Sequence, residues 1–467
     1  MKTFFITLVF VLTLPGCYNP TLTGQGQFRC NDDAGGLCPE GFVCNANKDC
    51  VPKDQVADSG ILKKDSKEQQ DAYLSDLLRD TLTPPHDTQT AAPPTCKLDP
   101  SGFAPVANGV DNESKFGLAR DPKDATLHVS FFNTTGELTS ASGSSGGNWI
   151  ATTFPLPLKG KIATAINSYG GKTVVAFFDS NGDLNVLTGA KTTLVQSEVK
   201  SSLSLDLASS PNDPTNSVIV VWQDGNLTER FAKIALVDRT SGIVKLPSTL
   251  PAPPGTKTSW GFHLGIVANQ TEQSLFIAYC TDGGIVFFSK WLGQLYLNWA
   301  TASQVGLKRV VTNPPGAGRI ALAARNGLHL SYPTPAAGTS NTELVYSDGN
   351  NVSPINPGGN VLENAAAPAM AMPENSSQMG VVYIDYADLS VWFTSRKDPQ
   401  SPWSEPISFS DTIGKTTIVN QVQVVVSETG QGMGTRDKVT FEVVYRAFEN
   451  NVSQLRHRSV TCEYQNL

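Results

Sequence analysis

A short hairpin recurs along this chain, and its repetition limits the folds open to it. In Val174–Val186 an apolar run, Val174-Val-Ala-Phe-Phe178, leads into a turn rich in Asp, Asn and Gly and then a second apolar strand from Leu184. Six further segments align with it: His128–Leu138, Val218–Leu227, Leu275–Ile285, Ile320–Leu328, Val381–Leu389 and Glu442–Val452. Each joins an apolar or aromatic strand to a second strand across a tight polar turn. Their spacing is roughly 45 to 60 residues, the period of a propeller blade. Several units begin with a small apolar strand, as in Ile162–Ile166, Leu203–Leu207, Leu264–Ala268 and Pro368–Met372, and some close with Trp in a polar setting, at Trp149, Trp299 and Trp403.

Four strands per unit and about seven units account for nearly all of residues 96–467, so the expected fold is all-β, a seven-bladed β-propeller. A six-bladed ring with one irregular insertion and a pair of stacked β-sandwiches are the alternatives; sandwiches rank last because they need not repeat internally. A ring must be closed where its ends meet. Cys96 and Cys462 stand at the two ends of this region, and in an oxidising compartment they are the expected disulfide latch. Cys280, inside an apolar strand, is expected to be a buried free thiol.

Of the 467 residues 40% are apolar, enough to bury a core, and the net charge of -7 lacks the basic surplus that draws nucleic acid or anionic lipid. Met1-Lys2-Thr3 followed by the apolar Phe4–Leu14 fits a signal peptide over residues 1–16 and is too short to span a bilayer. Leu14-Pro15-Gly16-Cys17 resembles the lipobox of bacterial lipoproteins. That resemblance implies cleavage before Cys17, a diacylglycerol on its sulfur and attachment to the bacterial cell envelope through that lipid. With Tyr18 rather than an acidic residue following, the expected location is the outer membrane. An ordinary cleaved signal, with Cys17 in a disulfide, is the alternative.

Within residues 17–51, Cys30, Cys38, Cys44 and Cys50 crowd into a segment too short to build a core, so two disulfides are expected. Three pairings are open; Cys30–Cys44 with Cys38–Cys50 is favoured because interleaved bridges best hold a compact knob. Zinc is the alternative, poorly served by these spacings. Cys38-Pro-Glu-Gly-Phe-Val-Cys44 resembles the small cysteine-rich modules that follow the anchor in envelope lipoproteins. Residues 52–95 are polar and end rich in proline, as a solvated tether does, with a marginal helix at Lys67–Leu78.

The order strand, Asp/Asn–Gly turn, strand, Trp resembles the propellers of the sialidase-like (BNR) class and related lectin propellers. The Asp box of that class, Ser-x-Asp-x-Gly-x-Thr-Trp, has its nearest match at Ser142–Trp149, which keeps Ser142, Gly146 and Trp149; Asp398–Trp403 keeps the Asp and Trp spacing. The resemblance implies that a hydrolase would need three arginines, a Tyr nucleophile paired with Glu, and an acid Asp. Arg120, Arg230, Arg239, Arg309, Arg319, Arg325, Arg396, Arg436, Arg446, Arg456 and Arg458 are present, none in an assignable motif. His86, His128, His263, His329 and His457 are scattered singly, with no nucleophile elbow, phosphate loop or zinc motif.

Asp179-Ser-Asn-Gly-Asp183 alternates oxygen side chains as a calcium loop does, but reads better as a hairpin turn. Seven Asn-x-Ser/Thr sequons, beginning at Asn112 and ending at Asn451, read as turn composition behind a lipobox. The expectation is therefore an envelope-anchored propeller that binds a glycan or a protein partner at the face around its axis, without catalysis, metal or other cofactor. A sialidase-like glycoside hydrolase is the alternative. No ligand-binding residue is singled out; Trp260, Trp291 and Tyr296 are placed either to stack on sugars or to fill the gaps between blades.

Overall fold

The computed structural model describes residues 42–44, 50–52, 92–154, 160–200, 204–225, 230–249, 264–269, 273–280, 286–292, 303–311, 320–325, 327–335, 342–348, 351–360, 362, 364–373, 376–409, 411, 418–427, 436–449 and 452–465. The chain divides into two units, residues 1–88 and 89–467. In the first, β1 (Phe42–Cys44) and β2 (Cys50–Pro52) pair antiparallel with Cys44 opposite Cys50. Cys17, Cys30, Cys38 and the Lys67–Leu78 helix lie outside the described residues, and with them the knob's bridges.

The second unit opens with β3 (Thr95–Leu98) and β4 (Ala104–Asn108) and then builds seven sheets in sequence. Blade 1 is β5 (Gly117–Arg120), β6 (Leu127–Phe132), β7 (Leu138–Gly143) and β8 (Ile150–Thr153). Blade 2 is β9 (Gly160–Tyr169), β10 (Lys172–Asp179), β11 (Leu184–Thr188) and β12 (Lys191–Gln196). Blade 3 is β13 (Leu205–Ser209), β14 (Ser217–Gly225), β15 (Arg230–Asp238) and β16 (Val244–Thr249). Blade 4 is β17 (Leu264–Asn269), β18 (Ser274–Cys280), β19 (Val286–Leu292) and β20 (Ser303–Val311). Blade 5 is β21 (Ala321–Ala324), β22 (Leu328–Pro335), β23 (Thr342–Ser347) and β24 (Val352–Pro354). Blade 6 is β25 (Ala365–Ala371), β26 (Met379–Asp385), β27 (Ser390–Arg396) and β28 (Ile407–Ser408). Blade 7 is β29 (Ile418–Ser427), β30 (Arg436–Glu449) and β31 (Val452–Gln465), completed by β3 from the start of the unit.

Each first strand lies against the first strand of the next blade, and β29 lies against β5, so the sheets form a closed ring. The fold is a seven-bladed β-propeller, as the repeat predicts; neither the six-bladed ring nor the sandwiches describe it. Side chains tie neighbouring first strands together. The Gln421 amide accepts from Phe116 N at 3.2 Å and donates to Phe116 O at 2.9 Å, joining blade 7 to blade 1. Asp206 Oδ2 accepts from Ile266 N at 3.1 Å, joining blade 3 to blade 4.

Why the hairpins read as continuous apolar runs follows from the ring. A blade is covered by a neighbour on each side, so a middle strand can be buried on both faces and apolar over a continuous run, as in β10 and β14. Val218 to Trp222 in β14 are wholly buried, as are Val174, Ala176 and Phe178 in β10. The fourth strands face solvent, and all four residues of β8 are exposed. Hydrophobic clusters fill the spaces between blades: Phe132 and Phe177 between blades 1 and 2, Phe178 and Trp222 between 2 and 3, Phe276 and Tyr332 between 4 and 5. Met379 and Trp403 lie between blades 5 and 6, Phe393, Phe441 and Tyr445 between 6 and 7, and Phe131 and Leu455 between 7 and 1. Each such side chain contributes about 2–3 kcal/mol of burial.

First strands converge on the axis, and at Gly117 two of them approach so closely that only glycine fits. A Cβ on Gly117 would meet Ile166 N at 2.8 Å and Ala165 Cα at 2.9 Å, both main-chain atoms that cannot yield. Of the four small apolar strands singled out in the sequence, Ile162–Ile166 and Leu264–Ala268 lie wholly within first strands, while Leu205–Leu207 of Leu203–Leu207 and Pro368–Ala371 of Pro368–Met372 belong to β13 and β25.

Six of the seven aligned hairpins start in the second strand of a blade; three reach the third strand, and Val218–Leu227, Leu275–Ile285 and Val381–Leu389 stop one to three residues before it. Ile320–Leu328 is the exception, spanning β21 and β22, one strand early. The true counterpart in blade 5 is β22 with β23, and Pro333 and Pro335 in β22 disguise it as a non-strand. Both Asp-box remnants lie at the link between third and fourth strands, in blades 1 and 6. In the second, Asp398 Oδ1 accepts from Gln400 N at 2.9 Å and Ser401 N at 2.8 Å, and Trp403 is buried behind it.

The ends meet in blade 7. β3 pairs with β31 so that Cys96 lies directly opposite Cys462, and the two form a disulfide across a sequence separation of 366 residues. β4 pairs with the earlier part of β31, at Gln454–His457. Blades 1 and 2 are joined through Asp121, which is wholly buried after β5 and reaches the β9–β10 turn. Its carboxylate accepts from Gly170 N at 2.9 Å, Gly171 N at 2.8 Å, Ser168 Oγ at 2.9 Å and Lys123 N at 2.9 Å. The turn presents two successive N–H groups because Gly170 and Gly171 both take positive φ, 62° and 76°.

Candidate functional site

Around the axis the seven blades enclose a cavity of about 150 Å³, lined by at least one residue from each, among them Lys115, Ala165, Asp206, Ile266, Leu322, Met370 and Gln423. Lys115 and Asp206 are its charged residues, and the carboxylate of Asp206 already serves Ile266 N and Leu207 N. No arginine lines it, so the described residues at the axis lack the carboxylate clamp that sialidase chemistry requires.

The arginines go elsewhere. Arg239 in blade 3 reaches back to blade 2, donating from NH1 to Lys172 O at 3.3 Å and from NH2 to Asn167 Oδ1, with Nε on Pro214 O at 2.8 Å. Arg446 in blade 7 donates to Asp111 O at 2.8 Å and to Ser114 O ahead of blade 1. Arg396 in blade 6 lies 3.7 Å over the Tyr346 ring of blade 5 and 4.4 Å over Trp403. Arg325 donates to Pro373 O at 3.3 Å. These guanidiniums are staples between blades: Arg239, Arg446 and Arg325 bind main-chain carbonyls of a neighbour, and the planar group of Arg396 stacks on rings instead. The side chains of Arg230, Arg309, Arg319 and Arg436 lie outside the described residues.

One cluster does combine the chemical types of a sialidase centre. Asp411 faces Arg458 at 3.1 Å and Arg456 at 3.5 Å, and the Tyr445 hydroxyl donates to it. Arg456 also meets Glu449 at 2.6 Å. Tyr445 is wholly buried between blades 6 and 7, and burial pushes its phenol far above the ordinary value, with Asp411 adding to the shift. A phenol that keeps its proton and touches no solvent is a packing group, not a nucleophile.

A larger opening lies between blades 1 and 2, a groove of about 470 Å³. Its walls carry His128 of β6, Ser140 and Ser142 of β7, Thr152 of β8, Thr173 and Val175 of β10 and Leu187 of β11. Phe154, Lys172, Arg239 and Thr240 complete it. Hydroxyls dominate the polar lining, Phe154, Val175 and Leu187 give it an apolar patch, and none of the described residues lining it is a carboxylate. His128 Nδ1 is bonded to Ser142 Oγ at 2.9 Å, while His128 Nε2 has no hydrogen-bond partner among the described residues. Burial lowers the His128 pKa, opposed by Asp121 and Asp124, so the ring is neutral at pH 7 and either tautomer leaves Nε2 unfilled. Burial lowers the Arg239 pKa to about 10, which leaves it charged at neutral pH.

Among the residues expected from the sequence, Cys96 and Cys462 meet as a disulfide. Asp179–Asp183 forms the expected hairpin turn: Asp179 Oδ1 accepts from Asn181 N at 2.9 Å and Asp183 N at 3.0 Å, and Oδ2 from Asn185 Nδ2 at 3.0 Å. Cys280 ends β18 and Trp291 lies in β19, but their side chains, and the whole of Trp260 and Tyr296, lie outside the described residues. Trp222, Tyr332 and Trp403 fill gaps between blades. The groove residues carry no distinguishing signal in the sequence: Ser140 and Ser142 alternate in β7, but other third strands are polar in places too, as β31 is at Arg456–Ser459.

No protein-family model and no curated protein matches the sequence. Solved structures resemble its fold. A subtype N11 neuraminidase-like protein of A/flat-faced bat/Peru/033/2010 is 8% identical, with a TM-score of 0.43, over 80% of this chain and 95% of that one. A fucose-specific lectin from Aleuria aurantia is 14% identical, with a TM-score of 0.40, over 66% of this chain and 100% of that one. The polysaccharide lyase Uly1 is 8% identical, with a TM-score of 0.45, over 78% and 92%.

Proposed function

We propose that this protein is a glycan-binding propeller without catalytic activity, held to a bacterial outer membrane by lipid on Cys17, and that the groove between blades 1 and 2 is its binding site. The observation that carries the binding reading is the groove itself: hydroxyls and an unfilled imidazole nitrogen around an apolar patch, in about 470 Å³. Sugars offer hydroxyls that both donate and accept, together with an apolar C–H face, and this lining matches both. A hydrolase would instead need paired, solvent-reaching carboxylates, and the described residues that line the groove include none.

Retention of the intact chain on a glycan array tests this. His128→Ala is expected to weaken the retained glycan about tenfold, the loss of one or two hydrogen bonds. A wild-type chain that retains no glycan and co-purifies with an envelope protein instead would overturn the reading. The anchor rests on the Leu14–Cys17 sequence alone. Metabolic labelling with a palmitate analogue should mark the wild type and leave Cys17→Ser unlabelled; equal label in both would remove the anchor.

A further inference from the structure

A second opening, of about 500 Å³, lies between blades 2 and 3 and is lined by Gln196, Asp224, Phe231, Lys233 and Thr249, with Glu198 and Lys200 exposed at the rim. Its construction follows from strand register. β14 and β15 pair Trp222 with Lys233 and Asp224 with Phe231, so these four side chains project from one face of blade 3. Trp222 packs on blade 2, which makes this the face turned towards Gln196 at the end of β12. The first groove lies where second strands begin, at residues such as His128 and Lys172, and this cleft lies where β14 ends; antiparallel strands put those on opposite faces of the ring.

The hydrogen bonds of this cleft can be counted group by group. Asp224 Oδ2 accepts from Lys233 Nζ at 2.6 Å and Gln196 Nε2 at 2.6 Å, and Oδ1 accepts from Lys200 N at 3.1 Å and Gly225 N at 2.8 Å. Its lone pairs are taken. Burial alone would raise the Asp224 pKa, yet these donors together hold it below the ordinary value, so the ion pair with Lys233 survives mild acid. Gln196 Oε1 accepts from Trp222 Nε1 at 3.2 Å and Lys233 Nζ at 3.0 Å, which also fixes which end of the amide is oxygen. What remains is one N–H on Gln196 and one on the Lys233 ammonium, both donors. Beside them Phe231 is 43% exposed and offers an apolar ring to the cleft.

A ligand for this cleft must bring an acceptor oxygen next to a small apolar group. We propose that the cleft between blades 2 and 3 is a second saccharide subsite that takes an acetamido group, its carbonyl on Gln196 Nε2 and Lys233 Nζ and its methyl on the Phe231 ring. This rests on the glycan-binding reading and adds to it: the first groove reads hydroxyls, and this one reads N-acetylation. The two sites, on opposite faces, would let one molecule bridge two glycan chains.

Titration of the intact chain with tri-N-acetylchitotriose and with cellotriose, which differ in the acetamido groups, tests it. The acetylated trisaccharide should bind at least fivefold more tightly. Phe231→Ala, a change at an exposed ring that leaves the melting temperature in place, should abolish that preference, and Lys233→Met should reduce it. His128→Ala should leave it intact. Equal binding of the two trisaccharides, or a preference untouched by Phe231→Ala, overturns the subsite and leaves the glycan reading standing. Failure of the wild type to bind any saccharide, on the array or in titration, overturns both.

Discussion

Cys96→Ala is expected to lower the unfolding free energy by about 5 kcal/mol, near the top of what one disulfide delivers. The reason is the length of chain it closes, 366 residues between the bonded cysteines. In the chain-entropy account the bridge denies the unfolded chain most of its open conformations, and the effect grows with loop length. Cys96 rather than Cys462 is the residue to change. Cys462 is wholly buried among Phe441, Val460 and Tyr464, so its replacement would also leave a cavity, whereas Cys96 is partly buried at the edge. Denaturant unfolding of wild type and variant measures the difference. A loss below about 1 kcal/mol would mean that pairing of β3 with β31 closes the ring unaided.

Asp121→Ala should cost about 3–4 kcal/mol, the next largest effect. It removes the acceptor of the Gly170, Gly171 and Lys123 amides, leaves the Ser168 hydroxyl with Thr173 Oγ1 alone, and takes from the turn joining β9 to β10 the carboxylate it is folded around. Burial alone would raise the Asp121 pKa, but these donors outweigh it and hold the carboxyl below its ordinary value. The sign of the pH effect follows: a depressed carboxyl stabilises the fold above the unfolded value of about 4, and that contribution is lost as pH falls through the folded value. Asp121→Asn provides the control. The stability gap between it and the wild type should be constant near neutrality and narrow below about pH 4, as the wild-type carboxyl gains its proton. A gap independent of pH would show that the carboxylate charge contributes nothing.

The architecture was legible because the propeller can bury a middle strand on both faces and leave it apolar over a continuous run. Val218–Trp222 and Val174–Phe178 announce themselves for that reason. Blade 5 was misaligned by one strand because Pro333 and Pro335 hide β22 while Arg325–Gly327 imitates the turn of the other hairpins. The candidate site was not legible. His128, Thr173 and Arg239 come from three different blades, and only the ring brings them to one groove. The arginines stand in no assignable motif in the sequence, and in the fold Arg239, Arg396 and Arg446 hold blades together. The donor-only character of the cleft at Gln196 and Lys233 depends on which partners Asp224 has already satisfied, and no sequence pattern records that.

The latch in blade 7 also decides how the ring withstands traction. Any pull arriving through the residues before Thr95 is delivered to an edge strand, the element that peels most readily from a sheet. At the residue after Thr95 the load passes through a covalent bond into the last strand, which lies between β3 and β30. A domain towed by its leading end would thus stay shut under drag, with the strain confined to two terminal strands and the other six blades mechanically idle.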